Sequence, residues 1–388
     1  MGMLGLYVHI PFCRQKCAYC DFPSQTGSAL LQKQYIEALC EEIAWQGNRL
    51  GKATVDTIFF GGGTPTLIGA EALVRLLQEL QRWFLVLPGA EISLEANPGT
   101  VSADDLRLLR AAGFNRLSLG VQSFDDALLQ NCGRIHDGAA ALAALEAARQ
   151  AGFDNCNVDL MTGLPGQTLA LLQQSVRQAA ELSVEHLSIY ALKIEEGTPF
   201  ASLEEKGFLV LPAEDETAAM DNWLECWLPA HGYKRYEISN YAQKKRACRH
   251  NLRYWRFRPY LGLGAAAHSF LEGRRWEGCF PLERYLSLRP QQRWEYGKQP
   301  VLTPAQLQEE FCFLALRTRG GISHYQFKAT FGVELWQRYA LVLEQLLTEG
   351  LVEKQRGRTY LTPLGLRFGN RAFAAFLATG AGGKSDEK

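Results

Sequence analysis

Short apolar runs alternate with longer amphipathic segments along the first 195 residues of the chain. The apolar runs predict six strands, at Leu4–Ile10, Val55–Phe60, Ile92–Ala96, Arg116–Val121, Asn157–Leu160 and His186–Ala191. The amphipathic segments predict helices near 29–47, 70–84, 102–112, 124–131 with 138–151, and 168–182. The helix at 102–112 is marked by Ser102 as the N-cap residue, Asp105 at N3 and Gly113 after the last turn.

Strand and helix alternate six times in this region, which indicates a parallel sheet with right-handed crossovers. Six units fall short of the eight that close a complete barrel. The pattern therefore predicts an α/β fold in the form of an incomplete, TIM-like (β/α)6 barrel that is open on one side. A doubly wound sheet fits the same pattern. In either fold a ligand site lies at the carboxyl ends of the strands.

The pattern changes after this region. From about 197 to 300 it is irregular and aromatic-rich, and beyond Thr303 it predicts helices at 303–318, 323–331 and 334–348, followed by a hairpin at Leu351–Leu361. Three helices and a small wing favour a winged-helix-like C-terminal domain. We expect a barrel core at 1–235, an aromatic-rich connecting segment at 236–302, the winged-helix-like domain at 303–378 and a disordered tail at 379–388.

Composition narrows the function classes. Lys+Arg and Asp+Glu both total 41, so the formal net charge is zero, which argues against nucleic acid as the main partner. A nucleic-acid-linked role of the wing-like module is the third hypothesis for function. The N-terminus lacks a basic, then long apolar, signal sequence, and no apolar stretch reaches about 18 residues. We therefore expect a cytoplasmic protein, with at most transient membrane association, whose thiols are reduced.

Three of the ten cysteines are closely spaced, at Cys13, Cys17 and Cys20. Thiolates bind iron–sulfur clusters and zinc, and three cysteines are one ligand short of the four that saturate a [4Fe–4S] cluster. A zinc site would need a fourth ligand nearby, and His9 lies within a predicted strand. The spacing favours a [4Fe–4S] cluster with one open iron; zinc and buried structural thiols are the alternatives.

The pattern Cys-x3-Cys-x2-Cys, with the aromatic Tyr19 before the last cysteine, closely resembles the hallmark of the radical S-adenosylmethionine (SAM) superfamily. The resemblance implies that the amino and carboxylate groups of SAM chelate the open iron. It also implies that an electron from the reduced cluster cleaves the sulfonium to a 5′-deoxyadenosyl radical. Whether this chain cleaves SAM, and which donor supplies the electron, the sequence does not determine.

Further residues of the chain fit a SAM site by the same resemblance. Gly61-Gly62-Gly63 would let the backbone approach the methionyl end of SAM, because glycine has no Cβ. The triplet lacks the Gly-Lys-Ser/Thr of a P-loop, and a plain turn is its alternative interpretation. The residues that the resemblance assigns to SAM are Tyr7, Tyr19, Gly62, Gly63, Thr64, Glu95, Gln122, Arg134 and Asp159. Taken singly, each polar member is more often a surface or capping residue.

Nearly the whole chain resembles the oxygen-independent coproporphyrinogen III oxidase family and its relatives. The resemblance is carried by His-Ile-Pro-Phe-Cys, Gly-Gly-Gly-Thr-Pro-Thr, Gly-Val-Gln-Ser-Phe and Asp-Leu-Met-Thr-Gly-Leu-Pro-Gly. Two departures separate it from the true oxidase: Phe22 stands where the oxidase has a further cysteine, and only twelve residues precede Cys13. Oxidative decarboxylation of propionates is therefore the second hypothesis, and whether the chain is an enzyme stays open.

The segment His250-Asn-Leu-Arg-Tyr254-Trp255 matches the His-Asn-x-x-Tyr-Trp signature of the HemW family of haem chaperones. This resemblance implies that the chain binds haem and delivers it to apo-haemoproteins such as respiratory enzymes. An imidazole can be an axial haem ligand, and the two aromatic rings can pack on a porphyrin. His268 and Cys248 are rival ligands, and a purely structural His250 is the alternative.

Two further features concern the surroundings of the signature and the oligomeric state. Arg258-Pro259 stands where the family has Gly-Asp, which departs from the pattern just after the signature. The resemblance to family relatives also implies a homodimer.

Overall fold

The computed structural model of the protein describes residues 2–377. Its strands are β1 (Leu4–Ile10), β2 (Thr54–Gly62), β3 (Leu85–Ala96), β4 (Arg116–Gln122), β5 (Cys156–Thr162), β6 (His186–Ala191), β7 (Lys234–Arg235), β8 (Asn240–Ala242), β9 (Tyr260–Leu263), β10 (Ser269–Leu271), β11 (Arg274–Trp276), β12 (Lys298–Val301), β13 (Ile322–Ser323), β14 (Val352–Gln355) and β15 (Arg358–Leu361). All six strands predicted within the first 195 residues are present.

The helices follow the same chain order. They are α1 (Ala29–Arg49), α2 (Ala70–Trp83), α3 (Ala103–Ala112), α4 (Asp126–Asn131), α5 (Gly138–Gln150), α6 (Leu169–Glu181), α7 (Pro199–Glu205), α8 (Glu214–Ala230), α9 (Arg249–Trp255), α10 (Leu282–Ser287), α11 (Pro290–Tyr296), α12 (Pro304–Leu316), α13 (His324–Phe331), α14 (Leu335–Thr348), α15 (Pro363–Arg367) and α16 (Gly369–Leu377). A short 3-10 helix spans Pro65–Ile68. The predicted capping box of α3 is confirmed, with Ser102 and Asp105 bonded reciprocally and Gly113 in the left-handed region at φ 116°.

The strand order distinguishes the two folds that the sequence allowed. Strands β1 to β6 lie side by side in chain order, and every neighbouring pair is parallel. A doubly wound sheet reverses its strand order at a switch point, whereas a barrel does not. The fold is therefore the open (β/α)6 barrel. Among the described residues β7 and β12 are the outer strands of the sheet and do not pair with each other, so the barrel stays open.

Most residues of the parallel strands are buried because both faces of the sheet are covered. The burial of β1 is typical, with Leu6, Val8 and Ile10 wholly inaccessible to solvent. The helices that follow the strands contribute leucines to the same core, including Leu39, Leu73 and Leu106. This large core fixes the sheet, so that the loops at the carboxyl ends of the strands start from rigid positions.

The aromatic-rich connecting segment adds strands to both edges of the barrel sheet. Strand β8 pairs antiparallel with β6, while β9 pairs parallel with β1 and leads to β10, β11 and β12. The chain thus crosses from one edge of the sheet to the other between β8 and β9, and α9 lies on this crossing. The sequence pattern did not predict these strands because each has only two to four residues, too few for a period to be recognised.

The C-terminal region has its own core, built from α12, α13, α14 and the three-stranded sheet β13-β15-β14. The three predicted helices and the predicted hairpin are confirmed, and α15 and α16 follow them. The tail that we predicted to be disordered, 379–388, lies outside the described residues. The domain boundaries themselves stay a prediction.

Within residues 2–377, no helix combines the length and the apolar character needed to cross a bilayer.

Candidate functional site

The three closely spaced cysteines lie in the loop that follows β1. Backbone hydrogen bonds fold this loop: Cys13 donates to the carbonyl of Gln25 at 3.0 Å and Cys20 donates to the carbonyl of Cys17 at 3.2 Å. All three half-buried thiols line one cavity of about 470 Å³, which we call the barrel cavity. The cavity opens at the carboxyl ends of the parallel strands, where ligand sites of this fold are expected.

The thiols are close enough to influence one another. Burial, followed by the neighbouring Cys17 and Cys13, raises the pKa of the Cys20 thiol. Arg134 donates to the Cys17 sulfur at 3.4 Å, and the Cys13 sulfur lies 3.8 Å from the Thr64 hydroxyl. Among residues 2–377, no set of three or more histidine, cysteine or acidic side chains converges as a single metal ion requires. Three separated thiols on one loop suit the corners of a cluster better than a tetrahedral zinc.

The glycine turn after β2 packs directly against the cysteine loop. Gly62 has φ 117°, and a Cβ there would lie 2.7 Å from the His9 ring. A Cβ on Gly63 would lie 2.6 Å from the Phe12 carbonyl oxygen and 3.0 Å from the Cys13 sulfur. Both positions therefore require glycine. The glycine turn therefore does more than end β2, because its backbone forms the wall of the cavity beside the cysteines.

Two of the carboxyl groups that line the barrel cavity, those of Glu95 and Asp159, lie on the parallel strands. Burial and the nearby Asp159 raise the pKa of Glu95 to about 8, although the Gly62 N–H donates to its Oε2 at 3.2 Å. Burial also raises the pKa of Asp159, against hydrogen bonds from Ser188, Asn157 and Ser118. Such buried carboxyl groups in a cavity are typical of sites that bind a cationic ligand group.

Arg134 connects the cysteine loop to the barrel. Besides Cys17, its guanidinium donates to Asn97 Oδ1 at 2.7 Å and to the Gly120 carbonyl. Its buried Nε has no hydrogen-bond partner among the described residues. Gln122 ends β4 with φ 68°, an uncommon conformation for a residue with a side chain, of the kind that clusters at functional sites.

The structure brings ten of the residues predicted for the cluster and SAM into the lining of one cavity. They are Cys13, Cys17, Tyr19, Cys20, Gly62, Gly63, Glu95, Gln122, Arg134 and Asp159. Two predicted residues do not line it. The Tyr7 hydroxyl shares a hydrogen bond of 3.0 Å with His9 Nδ1, and the ring faces a second cavity. Thr64 is buried behind the cysteine loop, where its hydroxyl accepts a hydrogen bond from Asn97 Nδ2 at 2.8 Å.

The polar residues of the cavity that the sequence analysis missed include four on the parallel strands: Arg116, Ser118, Asn157 and Ser188. Each lies on a parallel strand, and Ser118, Asn157 and Ser188 are joined to Asp159 by hydrogen bonds or register. The alternation of polar and apolar residues along the strand is the sequence signal that could have identified them. Arg116, Ser118, Gly120 and Gln122 are every second residue of β4, which places them on one face. The polar face of the strand thus marks the inside of the barrel.

Helix α9 carries the His-Asn-x-x-Tyr-Trp signature and separates the barrel cavity from a second one. Asn251 lines the barrel cavity, whereas Tyr254 and Trp255 line the second. His250 is 1% exposed, packs on the Phe59 ring at 5.4 Å, and has both ring nitrogens hydrogen-bonded. The buried Cys248 lies against the Glu91 carboxylate, its sulfur 3.5 Å from Oε1.

The second cavity, which we call the aromatic cavity, has a volume of about 460 Å³. Its lining is Tyr7, His9, Phe22, Pro23, Tyr254, Trp255, Phe257, Arg258, Tyr260, Ala266, His268, Phe270, Arg275 and Leu314. Phe22, which is 64% exposed, also lines the barrel cavity. Phe22 therefore forms part of a wall that the two cavities share.

Comparison with known proteins identifies the class. Residues 7–179 match the radical SAM superfamily and residues 302–368 match the HemN C-terminal domain. The solved structure of the coproporphyrinogen III oxidase (HemN) from Escherichia coli superposes with a TM-score of 0.84 and 25% identity, covering 96% of this chain and 90% of that one. The fold and the cysteine loop define a radical SAM protein, and this class implies a [4Fe–4S] cluster and SAM.

Two curated relatives identify the branch. The heme chaperone HemW of Bacillus subtilis (strain 168) is 38% identical over 378 residues, which cover 97% of this chain and 99% of that protein. The heme chaperone HemW of Escherichia coli (strain K12) is 42% identical over 275 residues, covering 70% and 72%. This chain belongs to the HemW family.

Proposed function

We propose that this chain is a haem chaperone that carries a [4Fe–4S] cluster on Cys13, Cys17 and Cys20, binds SAM beside it and delivers haem to apo-haemoproteins such as respiratory enzymes. The observation that carries the proposal is the pairing of two cavities. A polar cavity with three thiols adjoins an aromatic cavity of similar volume, in a chain that matches a haem chaperone over 97% of its length.

The residues of the barrel cavity fit the cluster and SAM. Three thiols leave one iron of a cube without a protein ligand, and such an iron can accept the amino and carboxylate groups of SAM. Glu95 would accept a hydrogen bond from the amino group of SAM, and the backbone of Gly62 and Gly63 would lie along the methionyl chain. When bound, the cluster supplies an electron that can reach the sulfonium.

Arg134 has two functions in this proposal. Its donation to the Cys17 sulfur stabilises the thiolate that a cluster ligand must become. Its unpartnered Nε adds a donor for an anionic ligand group, such as the carboxylate of SAM. Asn97 holds the guanidinium in a position that allows both contacts, because Asn97 Oδ1 accepts a hydrogen bond from it.

The aromatic cavity fits haem better than SAM. Aromatic rings and a proline supply a large apolar surface for a porphyrin, and Tyr254 and Trp255 bring the signature helix into contact with it. Phe22 and Pro23 of the cysteine loop also line this cavity. We further propose that an external protein reduces the cluster and that the chain acts as a homodimer.

A second candidate function is oxidation of coproporphyrinogen III, and the superposition on HemN favours it. The HemW relatives and Phe22 favour the chaperone. Anaerobically reconstituted protein should be incubated with SAM, reductant and coproporphyrinogen III, and the products separated. We expect no protoporphyrinogen, and its formation at catalytic turnover would replace the chaperone with the oxidase.

Haem delivery requires its own test. Haem-loaded protein is mixed with membranes from haem-starved cells, in the presence of apomyoglobin as a scavenger of free haem. We expect respiratory oxidase activity to recover with the loaded protein and not with the same amount of free haem. Equal recovery from both sources would contradict the proposal.

A further inference from the structure

Within residues 2–377 the histidines divide into six whose rings are hydrogen-bonded and one, His268, whose ring is not. All seven lie within residues 2–377, and hydrogen bonds are recorded there for the rings of His9, His136, His186, His231, His250 and His324. No hydrogen bond or ion pair is recorded for the ring of His268 in that range. The His268 side chain is exposed and lines the aromatic cavity.

His250, the first histidine of the signature, offers no ring nitrogen to a ligand in this structure. Its Nδ1 is 3.0 Å from the Thr57 hydroxyl and its Nε2 is 2.7 Å from the Tyr254 hydroxyl. The ring is 1% exposed and lies between β2 and α9. His9 is engaged in the same way, at 3.0 Å from Tyr7 and 3.0 Å from the Pro23 carbonyl. Ligation of iron by either ring would require breaking buried hydrogen bonds.

We propose that His268, rather than His250, supplies the axial ligand to haem in the aromatic cavity, and that Arg258 binds a haem propionate at the cavity's rim. This inference rests on the proposed haem-binding function. It assigns His250 a positioning role: its bond to the Tyr254 hydroxyl orients one of the rings that the porphyrin contacts.

The backbone presents His268 from a tightly packed turn between β9 and β10. A Cβ on Gly262 would lie 2.2 Å from the His268 carbonyl oxygen, and a Cβ on Gly278 would lie 2.1 Å from the Ala267 nitrogen. Ala266, which also lines the cavity, has φ 60°. A side chain in this region of φ is uncommon and is seen where the surroundings impose it, often at ligand sites. The imidazole is thus held on a rigid support, as a preorganised ligand requires.

Two arginines line the aromatic cavity, and only one is available to an anion. Arg275 forms an ion pair with Glu310 at 2.6 Å and donates to the Tyr260 hydroxyl at 3.1 Å. Arg258 is exposed and has no ion pair or side-chain hydrogen bond among the described residues. A propionate that reaches the rim would find this guanidinium unpaired, and arginine binds carboxylates through two parallel hydrogen bonds.

The test is a haem titration of the full chain, reconstituted with its cluster, followed by the Soret band and by electron paramagnetic resonance of the ferric haem. We expect His268→Gly to change the spin state and Soret position and to weaken binding about tenfold. Added imidazole should restore the original spectrum in this variant by occupying the vacated ligand position. His231→Gly, which removes an exposed histidine outside both cavities, is the matched control and should leave both readouts unchanged.

The same titration tests Arg258. We expect Arg258→Gln to weaken haem binding about two- to fivefold, without a change of Soret position, because an exposed ion pair contributes little. Arg256→Gln, an exposed neighbour outside the aromatic cavity, is its control. His250→Gln should keep the wild-type Soret position, since a side-chain amide can replace one of its two hydrogen bonds.

The possible outcomes distinguish failure of the His268 assignment from failure of the proposed haem-binding function. If the wild-type chain shows no saturable haem binding, the proposed function fails. If the wild-type chain binds haem, and His268→Gly retains its spectrum and affinity, His268 is not the ligand. A spectral change in His250→Gln that imidazole reverses would assign the iron to His250 instead.

Discussion

The barrel cavity and the aromatic cavity have nearly the same volume, about 470 and about 460 Å³, but opposite chemistry. The first is lined by thiols, carboxyl groups and buried polar side chains on the parallel strands. The second is lined mainly by rings from α9 and from the strands that extend the sheet beyond β1. Two cavities therefore share one sheet: polar side chains line its interior and carboxyl ends, and aromatic rings line its added edge.

The difference follows from how each cavity is built. Every second residue of the inner strands points into the barrel, so polar residues there are held by the sheet itself. The aromatic cavity instead combines residues from the cysteine loop, α9, β9, β10 and α12. A cavity assembled from many short elements depends on their packing, so single substitutions in the wall of the aromatic cavity should lower its haem affinity only in part. Loss of one thiol, by contrast, should abolish cluster binding in the barrel cavity.

The largest expected effect is loss of the cluster. Cys17→Ala removes one of the three proposed ligands, and we expect reconstituted protein to contain little iron and no brown chromophore. Haem binding in the aromatic cavity should survive, because none of the three cysteines lines it. Iron and sulfide analysis with a parallel haem titration measures both. Cys226→Ser, at an exposed cysteine, is the control, and loss of haem binding in Cys17→Ala would show that the cavities are not separate.

The second effect concerns the helix between the cavities. Arg253 of α9 is 3% exposed and forms an ion pair with the buried Asp56 of β2, so Arg253→Ala leaves this carboxylate with the more distant Arg249, at 3.8 Å, as its ion-pair partner. We expect the free energy of unfolding to fall by about 3 kcal/mol. Urea denaturation monitored by circular dichroism measures this change. Arg107→Ala, which breaks an exposed ion pair with Asp104, should have no measurable effect, and equal losses in the two variants would refute the role of α9.

A third effect is pH-dependent and belongs to the barrel cavity alone. The pKa of Glu95 is about 8 in the folded protein, above the value near 4.5 of an exposed glutamate. Its contribution to stability is therefore fully present below about pH 4.5 and is lost as the pH rises through about 8.

Glu95→Gln should remove this loss. We expect the variant to gain stability relative to the wild type between pH 5 and 8, on the order of 2 kcal/mol, with a constant difference above pH 8. Urea denaturation of the cluster-free protein across this range provides the measurement. Glu146→Gln, at an exposed position of α5, is the control. A difference that shrinks as the pH rises would contradict the assignment.

The smallest expected effect is at the shared wall. Phe22→Ala removes a ring that is already 64% exposed, so we expect haem binding to weaken about threefold while the iron content stays unchanged. Phe208→Ala, at a ring that is 73% exposed and lines neither cavity, is the matched control. A haem affinity that is unchanged in Phe22→Ala would remove Phe22 from the wall of the haem site.

The sequence predicted the barrel cavity well, because its residues occur in short motifs that follow apolar strands. Cys13, Gly62 and Glu95 each stand at the end of a parallel strand, so chain position alone brings them together. Arg116 and Asn157 were missed because each lies near the start of its strand, whereas the motifs follow the strand ends.

The aromatic cavity was beyond sequence reasoning for a different reason. His268 and Leu314 meet Phe22 only through pairing of β9 with β1 and packing of α12, contacts between residues far apart in the chain. His250 stood out by its signature, yet its two hydrogen bonds are visible only in the structure. Motifs identify chemistry, whereas the availability of a side chain depends on its neighbours.

The most direct test of the account is simultaneous occupancy of the two cavities. Reconstituted, reduced protein is loaded with SAM, so that the ligand perturbs the electron paramagnetic resonance signal of the cluster, and is then titrated with haem. We predict that one haem binds per chain with a Soret shift while the perturbation by SAM persists. Displacement of SAM by haem, or absence of haem binding to the cluster-bearing protein, would contradict the existence of two separate sites.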